Sequence, residues 1–209
     1  GWAIEGAIGS EFKIDASYLS PNVNMASRLE AATKLYGCLI LASDALMRLL
    51  SELLREECRL IDHVRMEGTR KPFKLYTLDL DDMALAVQPT RRNDASRHAK
   101  WKRRFELQKR KEERWSDEFV MHDLFMKESD IVQMRQKFTM EFFCKFNMAY
   151  LNYEAGEWEV ARSMLEVSRD SLGAEDGPSV ALLRYMKRHG NATPKAWPGY
   201  RVLSDRAVF

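Results

Sequence analysis

The stretch "SPNVNMASRLEAATKLYG", residues 20–37, carries both its own start and its own stop. Ser20 offers an oxygen to the first free amides, Pro21 suits a first turn that needs no amide, and Gly37 suits the left-handed residue that ends a helix. Between them Met25, Leu29, Ala32 and Tyr36 recur at helical spacing, so the segment predicts a helix with one apolar stripe. What flanks it is strand-like. "GWAIEGAIGS" alternates Trp2, Ile4 and Ile8 with small or charged residues and predicts a strand followed by a turn at Gly9 and Ser10. "CLILA", residues 38–42, predicts a short buried strand, and "SDALMRLLSELL", residues 43–54, a second helix capped by Ser43. "CRLIDHVRM" and "FKLYTLDL" predict two strands about a turn at Gly68. Strand, helix, strand, helix, strand, strand is the order of an α/β arrangement in which helices pack on a sheet.

The pattern then changes. Residues 91–115 hold 11 Lys and Arg against 4 Asp and Glu, with Trp101, Phe105, Leu107 and Trp115 as the large apolar residues, which predicts a mostly solvated basic helix. From residue 129 onward the chain reads as helical: one long helix over 131–156 ending at Gly156, a second over 157–173 and a third over 178–190. Tyr150 and Tyr153 before Gly156, with Trp158 and Ala161 after it, give the large and small alternation of a helical hairpin. With 209 residues and 45% hydrophobic content the chain can bury a core. Its 33 Lys and Arg against 31 Asp and Glu create no overall field that would select nucleic acid or an anionic membrane, so charge matters only locally. Cys38, Cys58 and Cys144 share no metal-ligand spacing and predict reduced thiols, as in a cytoplasmic protein. No apolar run reaches the roughly 18 residues of a membrane span. Gly1 leads directly into strand-like residues, from which an upstream continuation of the protein is expected.

Asn24 and Arg28 lie four residues apart and project about 40° from one another on a helix. They form a polar edge beside the apolar stripe. Asn brings a neutral amide, and Arg a permanently charged planar fork that suits phosphate oxygens. Spacing alone leaves both open to an ordinary solvent-facing role.

The sequence from Gly1 to about Asp79 resembles the C-terminal half of the class III nucleotidyl cyclase catalytic domain, that of the adenylate and guanylate cyclases. "GWAIEGAIGS" is similar to the strand and turn before that family's active-site helix, "VNMASRLEAATKLYG" to its VN-x-A-x-R-x-E helix, and "LIDHVRMEGTRKPFKLYTL" to its closing hairpin. The resemblance implies that Asn24 orients the ribose and that Arg28 stabilises charge on the α-phosphate as the 3′-hydroxyl attacks. It places Ser17 at the base-selecting position, where a hydroxyl favours adenine over guanine, although a serine bonding its own turn fits as well. Leu19 is assigned to the same nucleotide site. Thr69, Arg70 and Lys71 are candidates for a cation that reaches the triphosphate, and Arg70 is favoured. Where many members have "GDTVN" this chain has "SPNVN", which predicts a stiffer helix entry.

The resemblance also implies a cofactor, Mg2+ or Mn2+, whose two aspartates lie on strands before this segment or on a partner domain; Asp15 is no substitute. No metal ligand is assigned within the chain. The tail "YLNYEAGEWEVARSMLE…DGPSVALLRYMKRHG…WPGYRVL" is similar to the helical tail of some microbial and protist cyclases. The expected fold is therefore an α/β (α+β, ferredoxin-like) cyclase half-domain over 1–82, a basic, mostly helical linker over 83–128, and an all-α extension over 129–209 with one TPR-like hairpin. The expected partners are a nucleoside triphosphate and a second cyclase domain in a homo- or heterodimer. A calmodulin-like protein or anionic lipid is a lesser expectation for the basic helix, whose plain alternative is a solvated linker, and nucleic acid is not expected. The rival reading of the chain is a catalytically idle cyclase-like half that serves dimerisation or regulation.

Overall fold

A computed structural model describes residues 1–10, 12–86 and 97–204. Residues 91–96 of the predicted basic helix lie outside the described residues. The chain divides into two compact units, residues 1–79 with 138–209, and residues 80–137. Mixed α and β structure in the first part is followed by helices, the architecture of an α+β domain with a helical extension.

The first unit opens with an antiparallel hairpin of β1 (Ile4–Ser10) and β2 (Lys13–Leu19), registered from Ile4 opposite Leu19 to Ser10 opposite Lys13. The sequence reading ended this region in a turn and missed β2, although Ile14, Ala16 and Tyr18 alternate with polar neighbours at period two. Then comes α1 (Pro21–Tyr36) with the anticipated ends: the Val23 amide donates to Ser20 Oγ at 3.1 Å, and Gly37 takes a left-handed φ of 60°. Ala32 and Tyr36 are buried, and Met25 and Leu29 pack against the core, as the stripe requires.

A four-stranded sheet follows, built from β3 (Leu41–Ser43), β4 (Arg59–Met66), β5 (Phe73–Thr77) and β6 (Arg201–Leu203) in the order β3-β5-β4-β6. Three-residue β6 runs parallel to β4 and was not legible as a strand. The single helix expected over 43–54 is instead two short ones, α2 (Asp44–Met47) and α3 (Glu52–Glu56). Ser43 makes no side-chain cap bond, whereas Ser51 accepts from the Leu54 amide at 3.4 Å and restarts the helix. An interior serine that bonds the backbone locally competes with helix continuation.

Within the first unit the extension contributes α7 (Met140–Ala155), α8 (Trp158–Asp170) and α9 (Gly177–Arg188). The long helix expected over 131–156 is also broken, for the same kind of reason: Thr139 Oγ1 accepts from the Phe142 amide at 3.3 Å and caps α7. Helices α7 and α8 turn on Gly156, with Tyr153 stacked on Trp158 at 5.7 Å between ring centres. One core joins both halves of the unit. It takes Tyr36, Ile61, Val64 and Leu75 from the first 79 residues and Phe146, Tyr150, Trp158, Leu165, Leu182 and Met186 from the helices.

The second unit holds α4 (Arg97–Arg114), α5 (Asp123–Lys127) and α6 (Ser129–Arg135). Its ends meet where the Asp81 amide donates to the Met134 carbonyl and Lys137 pairs with Asp81 at 2.8 Å. Among the described residues no helix is long and apolar enough to cross a membrane.

Candidate functional site

Helix α1 presents two different ends. Its C-terminal turn is locked into the core. A bulge in β4 between Leu60 and Asp62 leaves Ile61 and Asp62 both buried, where strict alternation would bury one of them. Asp62 accepts from the Tyr36 hydroxyl at 2.6 Å and from the His63 amide at 2.8 Å. Arg201 of β6 brings Nε to 2.6 Å from Asp62 Oδ2, off line for a hydrogen bond, so the contact is an ion pair. Burial lifts the Asp62 carboxyl above its ordinary range, partly offset by Arg201 and the Tyr36 hydroxyl. Burial works against the Arg201 charge as well, yet Asp62 beside it keeps the guanidinium protonated with a raised pKa.

A second buried ion cluster lies nearby in sequence. Arg59 donates from Nε and Nη2 to both oxygens of Asp79 at 2.8 and 2.6 Å, and from Nη1 and Nη2 to both oxygens of Asp176 at 3.1 and 2.8 Å. Its guanidinium stacks over Phe142 and Phe146 at 4.8 and 4.3 Å. Asp176 is also the cap of α9, accepting from the Ser179 amide and hydroxyl. Gly177 sits so close to α1 that a Cβ there would meet the Tyr36 carbonyl oxygen at 2.1 Å. The "DGPS" of the tail thus caps a helix, binds an arginine and permits a backbone crossing in four residues. Cys38 lies beside this region, where burial pushes its thiol up to about 11.

The N-terminal half of α1 is open. Asn24 is exposed in the first turn, and one turn on Arg28 is half-buried. Arg28 Nη1 donates to the Glu67 carbonyl at 2.6 Å. That carbonyl belongs to the β4–β5 connection, which turns through Gly68 at a φ of 80°. The Gly68 Cα lies beside the same guanidinium, since a Cβ there would stand 3.7 Å from Arg28 Nη1. Arg70, on the same connection, is exposed. Ser17 is half-buried on β2 opposite Gly6, and Leu19, opposite Ile4, is exposed at the strand's end. The structure therefore brings Arg28 to the connection that carries Arg70, and Ser17 and Leu19 to the strand that runs into Asn24's helix. The Glu67 contact was invisible to sequence reading, because a backbone carbonyl leaves no residue signature.

One groove, of about 610 Å3, is lined by Met25, Leu29, Leu39, Leu46 and Leu49 among others. None of Ser17, Leu19, Asn24, Arg28 and Arg70 lines it. Its α1 residues lie on a flank of the helix well away from Asn24 and Arg28, so this groove is separate from that polar edge. Among the described residues no group of three or more His, Cys, Asp or Glu converges as a metal site would. Asp15 pairs with Lys13 at 3.0 Å on the surface. Around the start of α1 the side chains brought together are thus an amide, Asn24, and guanidinium groups, Arg28 and Arg70.

Fold and site together describe an α+β unit with a helical extension and one arginine fixed at the mouth of a β-turn. Over part of its length the chain is similar to a nucleotide cyclase: it is 36% identical over 77 residues to an adenylate cyclase of Anabaena cylindrica. The match covers 36% of this chain and 15% of that protein's length. No family model matches the chain, and no solved structure matches it.

Proposed function

We propose that the chain supplies the C-terminal half of a class III nucleotide cyclase catalytic domain and that Asn24 and Arg28 act in its reaction. In that reaction the 3′-hydroxyl of a nucleoside triphosphate gives up its proton to solvent as its oxygen bonds to the α-phosphorus, the bond from that phosphorus to the bridging oxygen breaks, and a 3′,5′-cyclic monophosphate and pyrophosphate result. The observation that carries this reading is the anchoring of Arg28 by the Glu67 carbonyl. One arm of the guanidinium is spent on the backbone, which fixes the orientation of the rest before any ligand arrives. Preorganised charge of this kind is what a transition state with charge on phosphate oxygens rewards. The partial identity to an adenylate cyclase supports the same reading.

Asn24, exposed one turn earlier, would orient the ribose, with Arg70 at the triphosphate and Ser17 and Leu19 at the base, ATP being favoured over GTP. A divalent ion, Mg2+ or Mn2+, neutralises the leaving pyrophosphate in such reactions. Its carboxylates would come from a preceding segment or from a second cyclase domain in a dimer. The test is the full-length protein carrying Arg28→Ala. Turnover should fall by about 10²-fold or more with substrate affinity little changed, as loss of a transition-state contact requires. Unchanged turnover would assign Arg28 to structure, and absence of cyclase activity in the full-length protein would leave this half as a dimerisation or regulatory element.

A further inference from the structure

Helix α4 carries nine basic residues against three acidic ones in 18 positions. Its apolar side chains are not folded away. Trp101 and Phe105 are 61% and 58% exposed and stack on one another, with ring centres 5.7 Å apart and planes 16° apart. The stack covers only part of each ring, and what remains is an exposed aromatic patch of the kind that marks an interaction surface.

The arrangement of charge around the pair narrows what that partner is. At about 100° per residue, Arg104, Lys111 and Lys100 fall roughly 80 to 120° to one side of the aromatic stripe, and Lys109 and Lys102 roughly 60 to 80° to the other. The rings are therefore flanked by cations on both sides. Glu113 is paired with Lys109 at 3.9 Å, and Glu112 accepts from Gln108 at 2.9 Å. The stripe is also short: one and two turns past Trp101 and Phe105 its line continues as Gln108 and Glu112. A helix that seats in a protein groove needs apolar anchors over two turns or more. A helix that lies on a bilayer needs only an aromatic wedge at the headgroup boundary and cations around it, with anionic lipid supplying most of the attraction.

We propose that α4 is a membrane-surface helix that docks on anionic lipid through Trp101 and Phe105, flanked by Lys100, Arg104 and Lys111. This goes beyond the cyclase reading and does not depend on it. The test is co-sedimentation of the 209-residue chain with phosphatidylcholine vesicles, with and without about 30% phosphatidylserine. At low salt the bound fraction should be at least about tenfold higher on the anionic vesicles, and it should fall steeply at 0.5 M salt, where the Debye length is only a few ångströms. Lys100→Glu/Arg104→Glu/Lys111→Glu should abolish the preference, and Trp101→Ser/Phe105→Ser should weaken binding about threefold or more. Both variants change exposed residues, and the unaltered far-ultraviolet dichroism expected of them separates lost docking from lost fold. Equal binding to both kinds of vesicle, or binding that survives the charge reversal, overturns the proposal. So does a chain that ignores vesicles but is retained by an acidic helix-binding protein such as calmodulin.

Discussion

Arg28 and Arg59 are both arginines of the first unit, and the same residue type does opposite work at the two places. Arg59 is buried, held by four hydrogen bonds to two carboxylates and sandwiched against two phenylalanine rings. Arg28 is half-buried and fixed by a backbone carbonyl at a turn. Two carboxylates hold Arg59 in the interior, and a backbone carbonyl holds one arm of Arg28 in a fixed direction at the surface. The contrast separates an arginine locked inside the core from one held at the rim of a turn.

The comparison breaks most sharply if the two halves of the first unit come apart. A chain ending at residue 137 lacks α7, α8, α9 and β6, and with them Asp176, Arg201 and most of the large buried side chains. It should show no cooperative urea transition, and a cooperative one would mean that the first 79 residues hold a core of their own. Next in size is Arg59→Ala, which leaves Asp79 and Asp176 buried without their partner. A loss of about 3 to 5 kcal/mol is expected in the denaturation midpoint analysis. A loss below about 1 kcal/mol would place Arg59 in the same class as Arg28. Gly177→Ala sharpens the same contrast from the backbone side. The added methyl cannot fit against the Tyr36 carbonyl without moving α9, at a cost of about 1 to 3 kcal/mol by the same measurement. The smallest effect on stability is expected for Arg28→Ala, within about 1 kcal/mol, since the side chain is half exposed and the lost bond is one among many. A larger loss would turn Arg28 into a structural residue and remove the basis for giving it a role in catalysis.

Local signals were legible in the sequence and long-range ones were not. Ser20, Pro21 and Gly37 bound α1 as read, because each acts on amides or dihedrals within a few residues. The pairing of Asn24 with Arg28 on one edge was readable for the same reason, being a matter of helical pitch. Ser51 and Thr139 were readable in principle, since each could have been weighed as a cap inside an apolar run, and each proved to be one. Asp15 and Ser17 sit in a strand whose alternation was present but unused. Nothing local announced that Asp176 would meet Arg59, or that Arg201 would enter the sheet beside β4. Those contacts are decided by where the chain returns, which depends on everything between.

The Arg59–Asp176 contact joins positions 117 apart in the chain. During synthesis at about 5 to 20 residues per second, Arg59 is made roughly 6 to 23 seconds before its second carboxylate. For that interval β4 has β5 and Asp79 for company, but neither α9 nor β6. Its apolar face and one edge stand open in the crowded cell. Until β6 is made the sheet is begun without its last strand, and its completion waits on a contact closed across more than half the chain.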